Sequence, residues 1–333
     1  MDLELLTRTL SELGEPSYRH EQVWAWLARG AGSYAAMSDL PVALRSLLDK
    51  RVPLSTLTLE QEARARDDTL KVLLRTAEGH PVEAVSMRYR DGRRSLCLSS
   101  QSGCPLSCTF CATGRMRFAR NLTRDEILDQ ALHFRRERPI DHAVFMGMGE
   151  PMMNLDAVLA ACELLPALGI TNRRTAISTV GWIPGIERLT QSGVPVRLAF
   201  SLHAPEDALR SELMAVNDRY PLADVLDACR AHYATTRRTV FIEYVMLAGV
   251  NDRYAQALAL ARLLSPREAF KVNLIPYNPT DSLHEGSSRE AIAAFRTALE
   301  SKGVRVTVRL TRGRDIAAAC GQLAAAGHEG LRS

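Results

Sequence analysis

Long apolar runs are missing from this chain. No stretch of 18 or more uninterrupted apolar residues occurs, so no membrane-spanning helix is expected. The N-terminus, MDLELLTRTLSELGEP, lacks a basic segment ahead of an apolar one. It is acidic and helix-like, which does not read as a signal peptide and points to a cytoplasmic chain. Aromatic residues are few, at 6%, which argues against a broad aromatic binding platform. Lysine is scarce: Lys50, Lys71, Lys271 and Lys302 are the only four among 42 basic residues. Arginine suits bidentate phosphate contacts, although codon usage in a GC-rich genome gives the same bias. The seven cysteines (Cys97, Cys104, Cys108, Cys111, Cys162, Cys229 and Cys320) are odd in number and clustered. In a cytoplasmic chain such a set argues for metal or catalytic use and against a disulfide scaffold.

What is present is a chain of 333 residues with 46% hydrophobic content, enough for a sizeable core. That length suits one large domain with an appendage, or two ordinary ones. A net charge of +4 is compatible with an RNA partner without requiring one. Apolar spacing between Gly and Pro breaks predicts short helices at Leu3–Leu13, Glu21–Arg29 and Val42–Asp49. Strand patterns follow at Thr69–Arg75, Val82–Tyr89 and Ser95–Ser99, with turn signals at Glu78–Gly79 and Asp91–Gly92.

Strand-like and helical runs then alternate. The strands are expected at Ala143–Met146, Thr175–Ser178, Val196–Ser201, Val240–Val245, Phe270–Ile275 and Val304–Arg309. The helices between them are expected at Thr123–Arg136, Leu155–Leu168, Ile186–Gln191, Leu222–Tyr233, Tyr254–Leu264 and Arg289–Ser301. Such alternation implies a parallel sheet with right-handed crossovers, curling into a partial or full (β/α) barrel. Functional sites of these folds lie at the C-terminal strand ends. The chain therefore divides into a helical accessory segment (1–62), a β-hairpin extension (63–93), an α/β barrel core (94–310) and a tail (311–333). The Ala-rich tail is expected to be helical near Ile316–Ala325.

The chemistry-bearing feature is Gly103-Cys104-Pro105-Leu106-Ser107-Cys108-Thr109-Phe110-Cys111. Its three thiols share one loop after the first barrel-like strand. Three thiolates can hold three irons of a [4Fe–4S] cubane and leave the fourth open to another ligand. Zinc is the rival occupant, but it needs a fourth ligand that the neighbouring chain does not offer at the usual spacing. The spacing C-x3-C-x2-C, with an aromatic before the last Cys, resembles the radical S-adenosylmethionine signature. In that chemistry the amino and carboxylate groups of the cofactor chelate the open iron, and reductive cleavage gives a 5′-deoxyadenosyl radical.

Further segments, in order, carry a narrower resemblance. They are Leu96-Cys97-Leu98-Ser99-Ser100-Gln101, Arg120-Asn121-Leu122-Thr123, Phe145-Met146-Gly147-Met148-Gly149-Glu150-Pro151 and Ser178-Thr179-Val180-Gly181. Then come Phe200-Ser201-Leu202-His203-Ala204-Pro205, Glu243-Tyr244-Val245-Met246-Leu247, Lys271 to Pro279, and Arg312-Gly313 with Ala318-Ala319-Cys320-Gly321. Together they resemble the RlmN/Cfr family of RNA adenine methyltransferases over nearly the whole chain, and the RlmN branch most.

The resemblance implies a set of roles. Cys104, Cys108 and Cys111 hold the cluster, and Gly149, Glu150, Ser178, Ser201, Leu202, His203 and Asn278 contact S-adenosylmethionine. Two cofactor molecules are used per turnover. Cys320 carries the methyl group as S-methylcysteine, Cys97 resolves the protein–RNA adduct through a transient disulfide, and Glu83 accepts the ring proton. The implied substrates are adenosine 2503 of 23S rRNA and adenosine 37 of certain tRNAs, methylated at carbon 2. The implied electron source is a flavodoxin-like or other low-potential reductant.

Without the resemblance, Cys97 and Cys320 read as ordinary core cysteines, and Glu83 as a solvent-facing strand residue. Cys162 and Cys229 fit apolar helix faces. Arg115, Arg117, Arg120 and Arg124 near the cluster can meet phosphates or simply line a solvated loop. Two departures stand out: Arg314 replaces the family's acid after Arg312-Gly313, and Met214–Tyr220 lacks the Pro- and Lys-bearing form. Two other readings stay open, and a third fails for want of cysteines in this chain. One is a Cfr-like methylation of carbon 8; another is a non-enzymatic RNA-binding protein with a structural metal. The third, a methylthiotransferase, needs another cluster-binding cysteine set.

Overall fold

The computed structural model describes residues 1–324. Three N-terminal helices come first: α1 (Leu3–Glu12), α2 (Tyr18–Arg29) and α3 (Val42–Arg51). Asp2 caps α1 by accepting from the Leu5 N–H, and Gly30, at φ 99°, ends α2 in the left-handed region. Their apolar faces, including Leu6, Leu10, Val23, Leu27 and Leu48, join the same buried cluster as the sheet.

Four strands follow as an antiparallel run: β1 (Thr58–Arg64), β2 (Leu70–Arg75), β3 (Pro81–Arg88) and β4 (Arg94–Cys97). A separate two-residue ladder pairs β5 (Gln101–Ser102) with β6 (Arg120–Asn121). The main sheet continues through β7 (His142–Phe145), β8 (Thr175–Thr179), β9 (Arg197–Ser201), β10 (Val240–Met246), β11 (Phe270–Pro276) and β12 (Val306–Val308). From β4 through β12 every pairing in this sheet is parallel. The intervening helices are α4 (Arg124–Glu137), α5 (Leu155–Leu164), α6 (Ile183–Gln191), α7 (Asp207–Leu213), α8 (Leu222–Thr236), α9 (Tyr254–Leu263) and α10 (Arg289–Glu300). This is the α/β architecture expected, an open and mostly parallel sheet with helical crossovers.

Local chemistry explains several boundaries. Thr123 and Glu126 form a reciprocal capping box at the start of α4. β8 to β10 are buried along most of their length, as parallel strands covered by helices should be, while β11 alternates buried with half-buried residues. One helical stretch, Pro151–Leu168, is apolar and long enough to cross a membrane by composition. It includes α5 between two single 3₁₀ turns, carries Asp156 and Glu163, and packs on α4.

Three expectations need correction. β1 lies where the helical segment was expected to continue. Its sequence, TLEQEAR, is almost wholly exposed at the sheet edge, so it carries no apolar alternation to read. α7 falls in a segment read as loop, because its seven residues are too few for a helical period to register. The tail is not an α-helix between Ile316 and Ala324: a 3₁₀ turn at Arg314–Ile316 gives way to left-handed residues at Ala317 (φ 49°) and Gly321 (φ 84°). Contacts with the sheet override the Ala-rich propensity there. Ala325 lies outside the described residues.

Candidate active site

The C-terminal ends of the parallel strands surround one open cavity of about 960 Å³, mouth included. Residues from the loop after β4, from the ends of β7 to β11, and from just past β12 all line it. Strands at both ends of the parallel run therefore meet around it, which is the curl of a partial barrel.

Cys104, Cys108 and Cys111 line this cavity together. Gly103 starts their loop at φ 72°, and a Cβ there would lie 2.2 Å from the Arg117 carbonyl oxygen, so only glycine fits. The Cys111 N–H donates to the Cys108 carbonyl at 3.2 Å, and the Gly114 N–H to that of Cys111 at 3.1 Å. Burial, and then the neighbouring Cys111 and Cys104 thiols, push the Cys108 thiol well above its ordinary range. Burial pushes the Cys111 thiol up as well, and thiols so placed suit a cationic centre that takes them as thiolates. Among the described residues no three His, Cys, Asp or Glu side chains converge tightly enough for a single ion. Three thiolates fill three corners of a cubane, whereas zinc needs a fourth donor at the same point.

Most residues assigned to S-adenosylmethionine share the cavity: Gly149, Glu150, Ser178, Ser201, His203 and Asn278. Gly149 sits at φ 93°, and a Cβ there would lie 2.4 Å from Gln101 Cβ. Glu150 accepts from the Val180 and Met152 N–H groups, both at 3.0 Å, and burial raises its carboxyl to about 7. A buried acid with no cationic partner among the described residues suits the ammonium end of an amino-acid cofactor. Ser178 and Ser201 hydroxyls stand 3.3 Å apart.

His203, at φ 59°, accepts from the Val245 N–H through Nδ1 at 3.0 Å, which leaves the proton on Nε2. Burial, followed by nearby Arg210, lowers it to about 3, so it is a neutral donor. Leu202 is not brought to the cavity. Its side chain lies in the core, its N–H donates to the Glu243 carbonyl, and its own carbonyl accepts from Arg210 and Ala204.

Cys320 is exposed and lines the cavity beside the cysteine loop. It also lines a second, smaller cavity with Cys97, Met87, Tyr89 and Arg312. The tail is held in place by main-chain and side-chain bonds. The Ala112 N–H donates to the Gly321 carbonyl at 2.8 Å, Thr113 donates to that of Leu323, and Asn278 Nδ2 donates to that of Cys320 at 3.2 Å. Arg314, the departure from the family pattern, donates to Asn278 Oδ1 and to the Tyr277 carbonyl, each at 3.2 Å. Cys97 is buried at the end of β4 and pushed up to about 12, first by burial and then by Cys320.

Glu83 is buried, not solvent-facing. It lies on β3, two residues before Val85, the register partner of Cys97. Its carboxylate pairs with Lys71 at 3.0 Å and accepts from the Ala324 N–H at 2.9 Å. It lines neither cavity. Among the nearby arginines, Arg120 pairs with Glu126 and Glu78, Arg124 with Asp125, and Arg115 with Asp281 at 3.9 Å, while Arg117 is exposed. Cys162 and Cys229 are core residues, as expected.

Three site residues were not singled out from sequence. Arg309, just past β12, places Nη1 3.1 Å from Met146 Sδ, 3.9 Å from Cys320 Sγ and 3.7 Å from Glu243 Oε2. Burial opposes its charge, but Glu243 and Cys320 outweigh that and push its pKa up. Glu243 lines the cavity, accepts from Asn273 at Oε1 and leaves Oε2 buried with no hydrogen-bond partner among the described residues. A lone acid inside the apolar run VFIEYVM was the available signal. Arg210, fully buried, donates to the carbonyls of Leu202 and Val180 and to Asn217 Oδ1, tying together the loops after β8 and β9.

Comparison with known proteins bears on this arrangement. Residues 98–261 match the radical SAM superfamily. A probable dual-specificity RNA methyltransferase RlmN from Thermus thermophilus is 44% identical over 332 residues, covering 97% of this chain and 92% of its own. The dual-specificity RNA methyltransferase RlmN of Geobacter sulfurreducens is also 44% identical, covering 97% and 90%. A crystal structure of a radical SAM methyltransferase from Sphaerobacter thermophilus superposes with a TM-score of 0.91 at 42% identity, covering 98% of both chains. Superfamily membership implies a [4Fe–4S] cluster and S-adenosylmethionine, which the three thiols and the Gly149–Glu150 cradle fit. The chain belongs to the RlmN family of RNA methyltransferases, within the radical SAM superfamily.

Proposed function

We propose that the chain methylates carbon 2 of an adenine in RNA, at adenosine 2503 of 23S rRNA and adenosine 37 of tRNA. It consumes two S-adenosylmethionine molecules per turnover, with Cys320 as methyl carrier and Cys97 as resolving thiol. The observation carrying this reading is the place of Cys320. Cys320 lines both the cavity of the cysteine loop and the cavity of Cys97. An adduct formed on the first side is thus within reach of release from the second.

When bound, the cluster and cofactor supply hydrogen-abstracting radical chemistry. The chain's own residues do the rest. Cys104, Cys108 and Cys111 hold the cluster, and Gly149, Glu150, Ser178, Ser201, His203 and Asn278 orient the cofactor. Cys320 takes a methyl group on Sγ, losing its thiol proton. Arg309 and Glu243 hold the charge around that sulfur. Cys97 rests as the neutral thiol, and thiol exchange needs its thiolate. As its Sγ bonds to Cys320 Sγ, the Cys320 sulfur–carbon bond breaks. The electron pair stays with the carbon, which takes up a proton to complete the methyl group. A reductant returns both thiols, and a flavodoxin-like or other low-potential donor serves the cluster. Glu83, as proton acceptor, requires the tail to lift from it, because Ala324 and Lys71 occupy its carboxylate.

In this reading residues 94–310 are the catalytic core and 1–62 and 63–93 its appendages. The carrier tail is 311–333, and the enzyme works in the cytoplasm with the RNA. The target base must be unpaired and extruded to reach the cavity. Nucleoside mass spectrometry of RNA from a deletion strain tests the proposal. Loss of 2-methyladenosine is expected. Unchanged 2-methyladenosine with loss of 8-methyladenosine would move the chain to the Cfr branch.

A further inference from the structure

The opposite end of the sheet carries a polar cleft that the reaction does not use. It opens at the N-terminal ends of β8 to β11. Five cations line it, Arg173, Arg197, Arg237, Arg238 and Lys271, and no carboxylate does. None of the five forms an ion pair among the described residues. This is not a shortage of acids, since the sequence has 38 acidic residues against 42 basic ones. Elsewhere Arg64, Arg75, Arg120 and Arg296 each take a carboxylate partner.

Arg197 and Lys271 instead lie over the Phe241 ring, at 5.8 and 5.9 Å from its centroid. A ring tethers a cation without neutralising it. Burial and then Arg173 depress Arg238, and His142 nearby is depressed by burial and by Arg93, Arg174 and Arg197, against the opposing pull of Asp141. The field of like charge therefore extends past the cleft itself. Such crowding opposes folding unless an anion relieves it.

We propose that this cleft binds backbone phosphates of RNA outside the target loop, holding a large folded substrate against the flank of the barrel. The inference rests on the reading that the substrate is RNA. Four of the five cations are arginines, whose planar fork matches phosphate oxygens. Thr236 and Thr239 also line it, each donating its hydroxyl to a main-chain carbonyl, of His232 and Glu268, which leaves the cations as its donors to a phosphate. Arg197 and Ser201 on β9, like Lys271 and Ile275 on β11, are four residues apart, so cleft and cavity stand about 13 Å apart along these strands and open at opposite ends of the sheet. One small loop does not reach both ends, whereas a folded RNA body does. An electron-donating protein docked here would face the wrong end of the sheet for the cysteine loop.

The test compares the whole enzyme with Arg173→Glu/Arg238→Glu and with Arg173→Lys/Arg238→Lys. Binding is measured against full-length tRNA transcript and against its isolated anticodon stem–loop, over a range of salt concentrations. For the Glu variant, full-length tRNA should bind about tenfold more weakly, with a salt slope shallower by roughly one to two counterions. Stem–loop binding and turnover should stay unchanged, the Lys variant should match wild type, and the thermal midpoint should not fall. Unchanged tRNA affinity overturns the proposal, and so does equal weakening for tRNA and stem–loop. Weakened binding of an acidic electron donor with RNA affinity intact reassigns the cleft to a protein and also overturns it. If wild type itself binds no RNA, the functional reading fails instead.

Discussion

Arg309 stands where three sulfur- or oxygen-bearing groups meet: Cys320, Met146 and Glu243. A guanidinium there does two things at once. It offsets the buried Glu243 carboxylate, whose Oε2 otherwise lacks a partner, and it fixes the direction from which Cys320 faces the cavity. Misplacing a reacting atom by about 1 Å can cost about a hundredfold in rate. Arg309→Met should therefore lower RNA methylation by roughly 10- to 100-fold. Iron content should be unchanged, and the fraction of tail peptide carrying S-methylcysteine, read by mass spectrometry, should fall. Arg309→Lys should recover part of it. Wild-type methylation of Cys320 in the Met variant would place Arg309 outside the reaction. At this scale the cysteine loop was legible, because three thiols at fixed spacing have few structural uses. Cys97 and Cys320 were legible only through the family resemblance, since each alone reads as core. Arg309, Glu243 and Arg210 were not singled out because their meaning lies in which strand ends meet across the barrel, not in their neighbours in sequence.

Elements carry the site by their ends. The helices were readable from apolar period and caps, and the parallel strands from buried apolar runs between them. Exposed β1, short α7 and the non-helical tail were missed, for lack of pattern in the first two and tertiary override in the third. One inter-element contact makes a test of the packing. His232 on α8 donates from Nδ1 to Thr190 Oγ1 on α6 at 2.8 Å, the Thr190 proton being given to the Ile186 carbonyl. Nε2 is then unprotonated and buried, with no partner among the described residues. Burial, and after it Arg238, lowers His232 to about 4 from its ordinary 6.5. Between those values the unfolded chain holds a proton that the folded chain does not. Stability is therefore full above about 6.5 and is lost as pH falls towards about 4. The slope from this group is at most about 1.4 kcal/mol per pH unit. Denaturant unfolding of wild type and His232→Asn across that range should show a shallower pH slope in the variant. Parallel slopes would assign the acid sensitivity to other groups.

For the whole molecule, one sheet separates two ends of different character. The C-terminal ends gather thiols, two buried acids and a neutral histidine around a single cavity. The N-terminal ends gather unpaired cations. Curling brings Cys320, more than 200 residues from Cys104 in sequence, onto the wall that the cysteine loop also forms. No local pattern predicts that meeting, although the strand–helix alternation predicts the end of the sheet at which it happens. The Met214–Tyr220 departure is also absorbed at this scale. The Thr109 N–H donates to the Leu213 carbonyl just ahead of it at 3.0 Å, and Asn217 anchors Arg210 within it, so the segment braces the cysteine loop. The most direct test is to express the full-length Cys97→Ala variant and search the purified protein for covalently attached RNA by mass spectrometry. The account predicts an adduct joined through Cys320, lost when Cys320→Ala is added. A Cys97→Ala protein that carries an intact iron–sulfur cluster yet holds no RNA would contradict it.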